Sequence, residues 1–289
     1  MTQALRRAAR RASIRTAKFA AALVGLTVLS VSSEAGANPK PLPFTYTFQT
    51  LPQGDYEIEL YGDFTPVPAI ATTGAETTYI RSMFQLEAEA GLTDHLELGL
   101  YLGFAPSPGD TLAGTSTVDD GFVAKQRLRG RFAEPGDWPI DLSLYGEVVE
   151  KQQEIEIEGK VNLLRRFGPV SIVANLSSEL EFYFDGHRDY VLNPSIGAMY
   201  EVVPAFTSGL EYWTRVEFPD FSSVPEAERP VGDIPVEQVH FFGPTFLIQT
   251  KHLWWSNGLY FRMNDLGESL RPGDAYGRIY VRSIIGLSP

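Results

Sequence analysis

Four basic side chains stand on alternate residues of one short stretch of this chain, and this spacing restricts what the chain can fold into. The four are Lys125, Arg127, Arg129 and Arg131, and an uncharged residue separates each from the next. Alternation with a period of two is typical of a β-strand with two unlike faces. At about 3.4 Å per residue, the four cations span about 20 Å of such a strand. The fold must therefore provide a polar environment for one whole strand face.

The same alternation recurs along most of the chain, in twelve segments whose length suits a membrane crossing. In one of them, Ile155 and Ile157 alternate with Glu154 and Glu156. A tilted transmembrane strand needs about 9–11 residues, and a barrel with a wet interior needs one apolar and one polar face on each strand. We therefore predict an all-β fold, a transmembrane antiparallel up-and-down β-barrel of about 12 strands, in the range of about 10 to 14. The segments are residues 55–64, 78–90, 96–104, the basic stretch from 122 to 132, 140–149, 154–164, 170–184, 190–202, 206–217, 239–250, 253–264 and 275–287.

The connections between these segments alternate in length. Short turns are predicted at residues 92–95, 133–139, 168–169, 203–205 and 251–252. Longer loops rich in Pro, Gly, Ser, Thr and Asp are predicted at residues 65–77, 105–120, 218–236 and 265–274. Bacterial outer-membrane barrels have short periplasmic turns and longer external loops, so the alternation supports a barrel. Residues 218–238, which carry four prolines, are the segment that we expect to form a lid or constriction.

The N-terminal residues resemble an export signal. Six basic residues precede an apolar stretch at residues 19–31, and Ala35-Gly36-Ala37 is a small-residue cleavage site. We predict a cleaved signal peptide at residues 1–37, a periplasmic N-terminal segment at 38–54 and the barrel at 55–289. Loss of six positive charges and Glu34 would change the net charge from -12 to -17. Such an acidic chain is not expected to bind nucleic acid.

Cysteine is absent from the sequence, which excludes a disulfide scaffold and thiolate metal sites.

Aromatic residues cluster near the ends of the predicted strands, where amphipathic rings would form a belt at the membrane interface. These residues are Phe182, Tyr183, Phe184, Tyr190, Tyr200, Tyr212, Trp213, Phe241, Phe242, Trp254, Trp255, Tyr260, Phe261, Tyr276 and Tyr280.

Four stretches resemble a known family of membrane proteins. They are residues 50–59 (TLPQGDYEIE), 91–99 (GLTDHLELG), 242–245 (FGPT) and 279–287 (IYVRSIIGL). They are similar to outer-membrane β-barrel proteins of Gram-negative bacteria, in the group described as transporter-like or MetA-pathway phenol-degradation-like. The resemblance implies a location in the cell outer membrane. It also implies contact with outer-membrane lipid and lipopolysaccharide, and help from the barrel-assembly machinery during biogenesis.

The basic ladder cannot face lipid, because each Lys or Arg near the bilayer midplane costs about 2–4 kcal/mol. We predict that it faces the lumen opposite acidic walls and acts as a charge filter. The predicted function is a narrow charged channel for passive diffusion of ions or small solutes; the alternative is a structural barrel whose lumen is plugged by ion pairs. The predicted lining residues are Lys125, Arg127, Arg129, Arg131, Glu57, Glu59, Glu87, Glu97, Glu147, Glu154, Glu156, Glu158, Glu179, Glu181 and Glu211.

A second alternative is an outer-membrane lipid hydrolase, which would need a serine beside a histidine. His252 and Ser256 are four residues apart, about 13 Å along a strand, whereas a nucleophile and its base must be about 3 Å apart. We therefore predict no enzyme activity and no cofactor. Weak Ca²⁺ binding, or contact with lipopolysaccharide bridged by divalent cations, is an alternative role for the acidic residues Asp119 with Asp120 and Asp185 with Asp189. They lack the spacing of a calcium-binding loop, and no metal site is predicted.

Overall fold

The computed structural model describes residues 38–106, 112–113, 121–229 and 237–288, apart from positions 265, 267, 268, 271 and 273. The predicted signal peptide at residues 1–37 lies outside this part of the chain, as do parts of the loops at 105–120, 218–236 and 265–274. Within it, no helix is long and apolar enough to cross a membrane.

Twelve strands form the wall of an antiparallel barrel, which confirms the predicted fold. A two-residue strand, Leu112–Ala113, pairs with Ile70 and Ala71, and a short 3-10 helix covers Glu226–Glu228. The wall strands are β1 Tyr56–Ala71, β2 Glu76–Thr93, β3 Leu96–Phe104, β4 Phe122–Arg131, β5 Asp141–Glu150, β6 Glu154–Phe167, β7 Val170–Tyr183, β8 in two parts (Arg188–Leu192 and Ser195–Val203), β9 Phe206–Asp220, β10 Glu237–Gln249, β11 Leu253–Arg262 and β12 Ile279–Leu287.

The barrel closes because the first and last strands pair with each other. Ile58 lies opposite Leu287, and the register continues to Phe64 opposite Val281. Every other strand pairs with its two neighbours along the chain, so the wall has no free edge. Both parts of β8 lie between β7 and β9, and the break falls at Asn193 and Pro194. Proline has no N–H to donate to a neighbouring strand, which explains the interruption.

The wall exposes its apolar side chains and buries its charged ones, which is the reverse of the distribution in a water-soluble protein. On β6, Ile155 and Ile157 are 39% and 50% exposed, whereas Glu154 and Glu156 on the same strand are only 4% and 7% exposed. The outer face is apolar and the inner face is charged. This arrangement is stable only where the outer face meets hydrocarbon, so the fold is that of a transmembrane barrel.

One predicted loop is wrong. Residues 65–77 were expected to be a long loop, but β1 and β2 continue to pair as far as Ile70 opposite Glu76, and only residues 72–75 make the turn. The Pro, Gly and Thr content of this stretch favours a loop, and its two prolines are Pro66 and Pro68. They are tolerated because the pairing of β1 with β12 ends at Phe64, and proline is accepted where a strand has one partner. Two connections at the loop end of the barrel, residues 151–153 and 184–187, are short.

Candidate functional site

The N-terminal segment, residues 38–54, enters the lumen at the end of the barrel where the short turns gather. Its anchor is Lys40, which is 5% exposed. The Lys40 ammonium lies 2.5 Å from Glu59, 3.1 Å from Glu87 and 2.9 Å from Glu89. Burial by itself would lower the pKa of Lys40, but these carboxylates together raise it well above its ordinary value. The ammonium therefore stays charged at physiological pH.

Beyond Lys40 the segment crosses the lumen and returns. The backbone N–H groups of Phe44 and Thr45 donate to Glu211 at 3.0 and 2.5 Å, and the N–H of Tyr46 donates to Asn175 at 2.6 Å. On the return, the N–H of Leu51 donates to Glu97 at 2.9 Å. Side chains of the wall thus satisfy the backbone of a segment that has no strand partner of its own.

The basic ladder faces the lumen, and its middle is enclosed. Arg127 and Arg129 are each 1% exposed. One guanidinium nitrogen of Arg127 lies 2.6 Å from Glu89 and 2.5 Å from Glu97. Arg129 lies 2.7 Å from Glu97. Gly99 on β3 makes room for this network, because an added Cβ there would lie 2.8 Å from the Nε atom of Arg127.

The ends of the ladder are held more loosely. Lys125 lies 3.4 Å from Glu147 on the neighbouring strand, and Arg131 lies 2.8 Å from the exposed Glu134 in the following turn. The sequence predicted acidic walls across the lumen from the ladder. The structure instead pairs the ladder with acids on β2, β3 and β5, because neighbouring strands bring long side chains within reach.

The other predicted acidic residues also point inward. Glu57 is fully buried, and it accepts hydrogen bonds from the N–H of Asn38 at 3.0 Å and from the indole N–H of Trp254 at 2.9 Å. Glu211 accepts from the hydroxyl of Tyr260. The remaining inward acids lie toward the loop end of the barrel, on β5 to β7: Glu147, Glu154, Glu156, Glu158, Glu179 and Glu181.

A cavity of about 480 Å³ lies between the N-terminal segment and the loop end of the lumen. Phe44 and Tyr46 of the N-terminal segment form its floor. Charged side chains from β4 to β7 line one side. The other side is lined by Trp213, Tyr276 and Tyr280 together with Arg215 and Arg282. Of the four ladder residues, Lys125 is the one that lines this cavity.

The predicted belt of aromatic residues at the membrane interface is wrong for several of its members, because their rings point into the barrel. Trp213 stacks on Phe44 with ring centroids 4.2 Å apart and on Phe241 at 4.6 Å. Tyr260 and Trp254 are fully buried inside the barrel. Alternation along β9 to β12 places these rings inward. The residues of the predicted belt that face outward with high exposure are Phe184, Tyr190, Tyr200, Phe242, Trp255 and Phe261.

Several lining residues were missed by the sequence analysis. Arg215 contacts Glu179 at 2.8 Å, and Arg282 contacts Asp63 at 2.7 Å. Arg215 follows Trp213 at a spacing of two on β9, so the alternation could have revealed it. Lys40 carries no such signal, because it lies outside every strand.

The proposed serine and histidine of a hydrolase are not brought together. The ring of His252 contacts the backbone oxygen of Ser288 at 3.0 Å, in a turn. Ser256 is fully buried, and its hydroxyl has no hydrogen-bond partner among the described residues.

A closed twelve-strand wall, an apolar outer face and a charged lumen define a transmembrane β-barrel of the outer-membrane type. No protein-family model and no curated protein matches the chain. Among solved structures, the chain is similar to an outer membrane channel from Pseudomonas putida F1, with a TM-score of 0.56 and 12% identity over 87% of this chain and 100% of that chain. It is also similar to the NanC porin, with a TM-score of 0.52 and 8% identity over 80% of this chain and 98% of that chain. At these identities, the likeness establishes the fold alone.

Proposed function

We propose that this chain lies in the outer membrane of a Gram-negative bacterium and forms a narrow, charged channel for passive diffusion of ions or small solutes. The observation that carries the proposal is the cavity of about 480 Å³ inside a wall whose outer face is apolar. A polar space of this size within a membrane-spanning barrel can hold hydrated ions and small polar molecules. Two solved structures of the same fold, a porin and an outer membrane channel, support the proposal by analogy.

The narrowest part of the proposed path is the N-terminal segment. Its contacts with β1, β2, β3, β7 and β9 fill the lumen at the short-turn end, below the cavity. Solutes would pass between this segment and the wall. Outer-membrane lipid, lipopolysaccharide and the barrel-assembly machinery are the partners that such a protein requires. The finer assignment, to the transporter-like or MetA-pathway phenol-degradation-like group, belongs to the same proposal.

Conductance in planar bilayers tests the proposal through Lys40. The change Lys40→Gln removes the only cation in contact with Glu59 among the described residues, and it leaves three acidic side chains close together. Their repulsion should loosen the N-terminal segment. We expect a small conductance for the unchanged protein and a several-fold larger one for Lys40→Gln.

Lys251→Gln is the matched control, because Lys251 is an exposed lysine in a turn at the same end of the barrel. This control should conduct like the unchanged protein. Conductance that does not respond to Lys40→Gln would show that the N-terminal segment is not the constriction.

The second candidate function is a structural barrel without a passage. The enclosed network of Arg127, Arg129 and Glu97 favours it, since this part of the lumen is filled by ion pairs. The same recordings distinguish the two functions. If the unchanged protein and Lys40→Gln both fold and neither conducts, the structural role would be supported.

A further inference from the structure

Acidic side chains face one another on neighbouring strands near the loop end of the lumen. Glu156 on β6 lies opposite Glu181 on β7, and Glu181 lies opposite Asp189 on β8. Glu217 on β9 lies next to this row, opposite Val191. Like charges directly opposite on neighbouring strands are destabilising. The row needs positive charge to hold it together.

The cations nearby do not reach every member of the row. Lys151 contacts Glu154 and Glu156. Arg215 contacts Glu181 and lies 3.3 Å from Glu217.

Asp189 is the member of the row without an ion pair among the described residues. Its side chain is 5% exposed. Its Oδ1 atom is buried and has no hydrogen-bond partner in the same part of the chain. A buried carboxylate oxygen without a partner is costly unless a water molecule or an ion satisfies it.

The geometry points to a divalent cation, and we propose that Glu181, Asp189 and Glu217 bind one Ca²⁺ ion. One carboxylate oxygen from each residue lies within 4.8 Å of the others. Ca²⁺ binds oxygen at about 2.3–2.6 Å, so two of its ligands can be about 5 Å apart. Ca²⁺ accepts about six to eight oxygen ligands in flexible geometry, which suits carboxylates from three separate strands, whereas Mg²⁺ requires a near-ideal octahedron.

Arg215 contacts two of the three proposed ligands, Glu181 and Glu217, so the ion shares these carboxylates with a guanidinium group. The hydroxyl of Tyr183 donates to Glu181 at 3.2 Å and helps to orient its carboxylate. Glu217 lines the cavity, which gives an ion a way in. Glu154, Glu156 and Glu181 form a second close group of carboxylates beside the first, and Lys151 contacts Glu154 and Glu156 there. The site requires only the folded barrel, so it does not depend on conduction through the lumen.

Calcium titration of the detergent-solubilised full-length protein tests the site. Isothermal titration with CaCl₂ should show one bound ion per barrel and weaker binding of MgCl₂. The loss of a supporting contact weakens a metal site by about 10–100-fold, so Asp189→Asn should weaken Ca²⁺ binding by at least about tenfold. Glu150→Gln is the matched control, because Glu150 is an acidic side chain at the same end of the barrel that points outward.

Thermal unfolding provides a second measurement that a purely structural role would not reproduce. Calcium should raise the unfolding temperature of the unchanged protein and of Glu150→Gln, but not that of Asp189→Asn. In EDTA, Asp189→Asn should unfold at a higher temperature than the unchanged protein, because one repelling charge is gone. If Asp189→Asn does not fold, Glu217→Gln replaces it, with the same expected loss of calcium binding.

Three results would overturn the site. They are the absence of calcium binding by the unchanged protein, binding that survives both substitutions, and binding of Mg²⁺ that is as tight as that of Ca²⁺.

Discussion

Arg127 shows how a single residue can join three strands inside this barrel. It stands on β4 and pairs with Glu97 on β3 and with Glu87 and Glu89 on β2. All four side chains are almost completely buried. The attraction in such a group offsets the cost of removing the charges from water, so the group is stable only while it is complete.

We expect Arg127→Gln to destabilise the barrel by about 3–5 kcal/mol, because it removes one cation from a buried group. Among the described residues, Glu87 would then keep only Lys40 as a cationic partner, and Glu97 only Arg129. The free energy of unfolding can be measured in detergent with urea, and the heat-dependent gel shift of a folded barrel gives a second reading. Lys125→Gln is the comparison, since Lys125 is 25% exposed and has one partner at 3.4 Å. It should cost at most about 1 kcal/mol. Equal effects of the two changes would contradict the view that burial of the cation determines how much the free energy of unfolding falls.

At the scale of the element, β10 and β11 approach each other unusually closely at one point. The register between them runs from Phe242 opposite Phe261 to Thr245 opposite Gly258, and the residues between do not pair. Pro244 lies there and has no N–H to donate. A Cβ atom on Gly243 would lie 1.8 Å from the backbone oxygen of Leu259. Glycine is required at this position because a backbone atom cannot move aside as a flexible side chain can.

Gly243→Ala should therefore destabilise the barrel by about 1–3 kcal/mol, as overpacking does elsewhere. Unfolding by urea in detergent measures the effect. Gly146→Ala on β5 serves as the control, because a Cβ atom there would meet nothing within 4 Å. It should be neutral, or stabilising by up to about 1 kcal/mol. A Gly243→Ala barrel as stable as the control would show that the two strands can separate at low cost.

The β1 and β2 hairpin illustrates what could be predicted about an element. Alternation located both strands within the wall, because apolar residues such as Ile58 and polar residues such as Glu57 alternate in the sequence. The same sequence pattern predicted that β1 ends at Phe64, because the stretch after it, which includes Pro66 and Pro68, has the composition of a loop. Pairing continues to Ile70 because β12 has already left that side of β1, and only the closed barrel shows this.

At the scale of the whole molecule, the cavity and the N-terminal segment divide the lumen into an accessible and a filled part. The chain contains no cysteine, so one introduced thiol can report which part a reagent reaches. Tyr46→Cys places a thiol at the cavity floor, and Phe48→Cys places one at a side chain that is 1% exposed. A charged, membrane-impermeant thiol reagent added to intact cells should label Tyr46→Cys.

Phe48→Cys should stay unlabelled in intact cells. It should become labelled once the protein is boiled in detergent, and this labelling would show that the thiol is present and reactive. Labelling of Phe48→Cys at the rate of Tyr46→Cys would mean that the N-terminal segment does not fill the lumen. The absence of label on both in intact cells would mean that the cavity is closed on the loop side.

The sequence by itself determined the strand number, the antiparallel order and the inward direction of the charged faces. The reason is that successive side chains of a strand point to opposite faces, so the face of each residue is a local property. The tertiary structure alone decided which side chains meet. Trp254 and Glu57 are 197 residues apart in sequence and share a hydrogen bond, because closure of the barrel brings the last strands beside the first. The position of Lys40 inside the lumen, the inward aromatic cluster around Trp213 and the burial of Asp189 depend in the same way on register and closure, which no local pattern encodes.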